Sequence, residues 1–212
     1  MDNTRNPWFF YVLLFFLAVI GIALFVKEQW LVSNIQEERD ANYAFLGDEK
    51  ARFAEERAKI LFDRWVIQTG VMKTSFDTFI PSRAQTVKST GIETLGQQVF
   101  PWAEQRLRAW WTLVYHSVVR ASTAMLWWPL FIITAIPFLV DAFVVRAAKA
   151  TSFGLTSPHF QGIAMRAIPI VVIVYFLLLF APIVVHPALV PAGIFAVAGM
   201  VWVAISQFVK RG

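Results

Sequence analysis

This sequence predicts an all-α polytopic membrane protein with four transmembrane helices and a helical extracytoplasmic insertion between helices one and two. Composition is the first observation behind that reading. Of 212 residues, 58% are apolar and only 16% charged, whereas soluble domains carry about 45–50% and about 25%. The apolar excess is also concentrated, forming segments that reach the roughly 20 residues needed to cross a bilayer. Between the first two segments the apolar residues recur at helical spacing, with no alternating strand pattern.

The first apolar segment is Trp8–Val26. It exceeds the roughly 7–15 residues of a signal-peptide core and no small-residue cleavage motif follows, so it reads as an uncleaved anchor, domain 1–26. The second is Trp127–Val145, the third Ala167–Val185 and the fourth Ala188–Phe208. Only His186 and Pro187 separate the last two, which predicts a tight helical hairpin within a three-helix region, 127–212.

The intervening region, 27–126, predicts two long helices. In Ala44–Gly70, the residues Ala51, Ala54, Ala58, Leu61 and Trp65 form one apolar stripe. Asp48–Arg52 and Glu55–Lys59 are favourable acid-before-base pairs four residues apart, and Gly70 is placed to end the helix in a left-handed conformation. Val71–Gly96 has loop composition with room for short helical pieces, and Phe76, Phe79 and Ile80 predict packing. The second helix spans Phe100–Leu126, with Pro101 at its first position and Leu107, Trp110, Trp111, Val114 and Val118 as its apolar face. No proline or glycine separates it from Trp127, so it is free to run on into the membrane. Together these predict a small helical cap resting on the bilayer.

Charge orients the chain. Residues 27–117 hold twelve basic and twelve acidic residues, so the remaining seven basic and two acidic ones carry the whole net charge of +5. Arg146, Lys149 and Arg166 lie in an acid-free loop, 146–166, and Lys210 and Arg211 lie near the C-terminus. Lys/Arg bias marks cytoplasmic loops. The termini and loop 146–166 are then cytoplasmic and residues 27–126 periplasmic, in a bacterial inner membrane. The basic balance is thereby accounted for, and direct nucleic-acid binding is not expected.

Several function classes lose support. The absence of cysteine excludes thiolate metal sites and cysteine catalysis. His159 falls on the opposite side of the bilayer from His116 and His186, so a three-histidine metal site is excluded and no cofactor is expected. Phosphate-binding glycine loops, nucleophile elbows and HExxH pairs are missing. Asp141 is the only acid in the four segments, where proton-coupled transporters need more intramembrane acids. Five residues separate it from Arg146, about 140° around a helix, so its expected partner is a donor on another helix, with Arg166 foremost. Trp127 and Trp128 sit where indoles mark the membrane boundary; His186 and Pro187 form the hairpin turn. Pro137 and Pro182 are expected to kink their helices, while Pro129 and Pro169 lie near helix starts. Ala192 and Ala196 have the small-xxx-small spacing of close helix packing.

Several phrases resemble a family of inner-membrane proteins carried by integrating conjugative elements and conjugative plasmids. They are Ala51-Arg52-Phe53-Ala54-Glu55 leading to Trp65 and Thr69-Gly70; Asp141 with Arg146; Ser157-Pro158-His159 before Arg166; and Val185-His186-Pro187-Ala188-Leu189-Val190. Order and spacing agree from about residue 44 onward, while Ala147-Ala148-Lys149 is less basic than the family pattern. The resemblance implies a non-enzymatic accessory subunit of conjugative DNA transfer by type IV secretion. Its implied partners are membrane lipids, other membrane subunits such as the coupling ATPase, and further copies in a hetero- or homo-oligomer. The residues themselves leave open a structural subunit of an unrelated membrane complex, or a small channel or carrier.

Overall fold

The computed structural model describes Leu13, Leu17, Gly21 and residues 28–80, 93–151 and 157–208. All regular structure among them is helical: α1 (Glu28–Leu46), α2 (Asp48–Phe62), a π-helical turn (Asp63–Ile67), α3 (Val71–Phe79), α4 (Glu93–Met125), α5 (Trp128–Thr151), α6 (Pro158–Phe180) and α7 (Leu189–Ser206). Three of these, α5, α6 and α7, are long and apolar enough to cross a membrane. The segment Trp8–Val26, expected as a further span, lies outside the described residues apart from three of its positions.

The chain divides into two compact units. One comprises residues 1–122 with Leu179–Val184; the other comprises Thr123–Leu178 with residues 185–212. In the first, α1 and α2 form a hairpin around Gly47, whose φ of 81° and ψ of 158° suit a residue without a Cβ. Eight residues to either side of it, Arg39 and Glu55 clasp the two arms. Arg39 Nε donates to Glu55 Oε1 at 2.7 Å and Nη2 to Oε2 at 2.9 Å, while the Tyr43 hydroxyl adds a bond of 3.0 Å. Glu55 thus serves the hairpin and not the expected local pair with Lys59.

The alanine stripe forms a buried seam at Ala51, Ala54 and Ala58, where a methyl is all that fits between close helices. Trp65 departs from it and is 68% exposed. The reason is local: Gln68 N–H reaches Asp63 O at 2.9 Å, and this wider turn inserts a residue that rotates Trp65 off the stripe. Gly70 takes the left-handed conformation at φ 73°, but the chain immediately re-forms a helix, α3. There Phe79 is exposed, while Ser75 accepts from Trp111 Nε1 at 3.0 Å. Phe62 packs edge-on against Trp111 and Tyr115.

Helix α4 begins at Glu93, so Pro101 lies inside it and not at its start. At its far end α4 does not run on unbroken: Leu126 and Trp127 form a turn, with Leu126 N–H bonded to Thr123 O and Trp127 N–H to Ala124 O. Three residues on, the φ of Pro129 is pre-set for the first turn of α5 and its missing N–H costs nothing there.

In the second unit, α5 packs along α7. The contact is built on small residues, with Ala142, Ala198 and Ala204 buried. Ala192 and Ala196, the expected close-packing pair, are exposed. Another small residue of α7, Gly193, lies close to α6, where an added Cβ would run into the ring and hydroxyl of Tyr175. Helix α6 starts at Pro158, well before the expected Ala167, which places Pro169 inside it. It also ends early, at Phe180. Ala181 is disfavoured in helical conformation because Pro182 follows it, so Pro182 ends the helix where a kink was expected. The link to α7 is therefore Ala181–Ala188, not a two-residue turn.

Candidate functional site

The buried line of α4 is apolar at Ala109, Leu113 and Trp111, the last expected on its apolar face, and polar from His116 onward. Ala109, Leu113, His116, Ser117 and Arg120 are buried, while Trp110, Val114 and Val118, assigned to the apolar face, are half-buried. Facing this line in the first unit, α1 turns Leu31 and Glu38 inward. At 2% and 7% exposure, Glu38 and Arg120 form a buried ion pair.

Arg120 Nε donates to Glu38 Oε1 at 2.8 Å and Nη2 donates to Oε2 at 2.6 Å, the two-pronged geometry that suits a guanidinium. Its other N–H groups reach the link after α6. Nη1 donates to Leu179 O at 3.2 Å and to Ala181 O at 2.7 Å, and Nη2 donates to Ile183 O at 2.5 Å. All five guanidinium donors are thereby used. Ser117 Oγ lies 2.8 Å from both Leu113 O and Leu179 O, and Asn34 Nδ2 donates to Pro182 O at 2.8 Å. Four carbonyls that the end of a helix and an irregular link leave without backbone partners are thus met by side chains of α1 and α4. Placing a cation at the C-terminal end of α6 also opposes that helix's dipole.

His116 completes the cluster, with Nε2 3.2 Å from Glu38 Oε1. Burial is the strongest single influence on the Glu38 carboxyl and pushes it up. The hydrogen bonds from Arg120 and His116, with the charge of the guanidinium, overcome burial and hold it at about 2. Near the α1–α2 clasp, burial raises the Tyr115 hydroxyl, with Glu55 contributing. The Glu38–Arg120 arrangement can hold backbone in place. As a proton donor or nucleophile it is poorly set up, since its carboxylate is ionised and saturated. No group of three or more His, Asp or Glu residues able to hold a metal occurs among the described residues.

The residues singled out from sequence lie elsewhere, in the second unit. Asp141 Oδ2 accepts from Trp202 Nε1 on α7 at 2.6 Å; the donor is on another helix, but it is Trp202 and not Arg166. Arg166 is exposed two turns into α6. Arg146 lies 4.5 Å over the ring of Phe208. His186 Nδ1 accepts from Ala188 N–H at 3.2 Å, and Leu189 N–H bonds to His186 O, so His186 and Pro187 shape the entry to α7. Trp127 is half-buried and Trp128 exposed. Lys149 Nζ approaches Ser206 O at 3.4 Å, and Gln207 accepts from Ser157 N–H at 3.1 Å.

Sequence reasoning missed Glu38, His116, Ser117 and Arg120. One signal was present for the three on α4: His116, Ser117 and Arg120, followed by Thr123, form a polar line at helical spacing on a helix for which only an apolar face had been assigned. Glu38, inside Gln36-Glu37-Glu38-Arg39-Asp40, is indistinguishable from its solvated neighbours until α1 is oriented.

No curated protein and no solved structure matches this chain. The family described as IncC plasmid conjugative DNA transfer protein DtrJ-like matches residues 26–209, which takes in the cluster around Arg120 and all three apolar helices, and the chain belongs to that DtrJ-like family of conjugative DNA transfer proteins.

Proposed function

We propose that the protein is a non-enzymatic accessory subunit of the conjugative type IV secretion apparatus in the bacterial inner membrane. In this role it anchors or scaffolds a larger partner such as the coupling ATPase. Membership of a conjugative transfer family supplies the process. The observation that supports a scaffold role is the Arg120 cluster. Arg120 divides its donors between the buried Glu38 carboxylate and the carbonyls of Leu179, Ala181 and Ile183, leaving none free for a substrate. The proposed topology has cytoplasmic termini, Trp8–Val26 as a fourth span and residues 27–126 in the periplasm.

Deleting the gene and measuring transfer frequency tests the role. Transfer is expected to collapse, wild-type protein should restore it, and the Arg120→Met variant should not. Affinity purification in mild detergent is expected to recover the coupling ATPase. Unchanged transfer in the deletion strain would overturn the reading.

A further inference from the structure

At the corner where α2 gives way to α3, the chain displays large apolar side chains to the outside. Ile60 is 67% exposed, Trp65 68%, and Ile67 and Val71 about half. Trp65 is held out by construction: the π-helical turn rotates it off the alanine stripe, and the Thr69 hydroxyl pins the turn by donating to Trp65 O at 2.7 Å. An indole kept in that position by an irregular turn calls for a surface to meet it.

The charges around the corner identify that surface. Residues 57–73 contain Arg57, Lys59, Arg64 and Lys73, all exposed, against the single acid Asp63. Asp63 is already occupied by Gln68 Nε2 at 2.9 Å. None of the four cations has an ion-pair partner among the described residues. The preceding stretch, 48–56, has the opposite balance, four acids to two bases, so the net charge turns positive at the corner that also exposes the apolar groups. Indole, aliphatic side chains and unpaired Lys/Arg together are the chemistry of an anionic bilayer surface. There the apolar groups enter the headgroup region and the cations meet phosphates.

We propose that this corner is an interfacial foot that binds anionic phospholipid headgroups through Arg64 and Lys73, with Trp65, Ile67 and Val71 inserted among them. The foot holds the first unit against the bilayer independently of the membrane spans.

The chain has no cysteine, so a single Ile67→Cys variant carrying an environment-sensitive fluorophore reports on this one site. The full-length protein is reconstituted into phosphatidylcholine vesicles with and without phosphatidylglycerol. With the anionic lipid, the expected result is a blue shift, quenching by spin-labelled lipid, and a several-fold loss of quenching by aqueous iodide. Arg64→Glu with Lys73→Glu should abolish all three, and high salt should weaken them. A probe exposed to iodide in both vesicle types would overturn the proposal. So would a probe shielded equally in detergent without lipid, which would assign the corner to a protein contact. Circular dichroism verifies that the charge-reversed variant remains helical.

Discussion

Both units pack helices on buried alanines, but they differ in what else they enclose. The first encloses an ionised carboxylate, a guanidinium and an imidazole. The second brings α5 and α7 together on alanines and places Asp141 and Lys149 at the edges of the contact. The difference follows from the backbone each contains. The first unit includes Leu179–Val184, a helix end and irregular link whose carbonyls need donors, and buried unpaired carbonyls are costly. In the second, side chains meet backbone groups near helix ends, and along α5 and α7 close approach is what remains to be gained, which small residues permit.

Replacing Arg120 with Met should break this contrast most severely. The change strands a buried carboxylate and removes the donors from three carbonyls, an expected loss of about 3–5 kcal/mol, read as a large drop in the thermal midpoint of the purified protein in detergent. Arg120→Lys keeps the charge but cannot fork, and should recover only part of that loss.

Acid should separate the units next. Folding lowers the Glu38 carboxyl from its ordinary 4.5 to about 2. Its stabilising contribution is therefore complete above about pH 4.5 and disappears as the pH falls through about 2, on the order of 3 kcal/mol. Stability measured between pH 5 and 2 should decline in the wild type. Glu38→Gln should start lower and lack that component of the decline.

In the second unit the sensitive site is steric. Gly193→Leu drives a side chain into Tyr175 and should cost about 1–3 kcal/mol, with no change in acid sensitivity. Trp202→Phe removes only the donor to Asp141, which is exposed; the expected loss is smaller, about 1 kcal/mol, measured by the same thermal unfolding. If Trp202→Phe proved as damaging as Arg120→Met, the distinction between a charge-built and a size-built interior would fail.

Much of this was written locally along the chain. Three apolar helices, the alanine stripe and the left-handed glycine at position 70 follow from composition, period and conformational freedom, each decided within a few residues. Element ends were less legible where irregular geometry intervened. A π-helical turn moved Trp65 outward, and Pro182 stopped α6 where a kink was expected. Partner choice was not local at all. Arg166 was the foremost donor expected for Asp141, and the packing of α5 along α7 supplied the Trp202 indole in its place. Glu38 and Arg120, 82 residues apart, carry no mutual signal in sequence. A charged side chain reads as solvated until the tertiary structure removes its water and supplies partners strong enough to replace it.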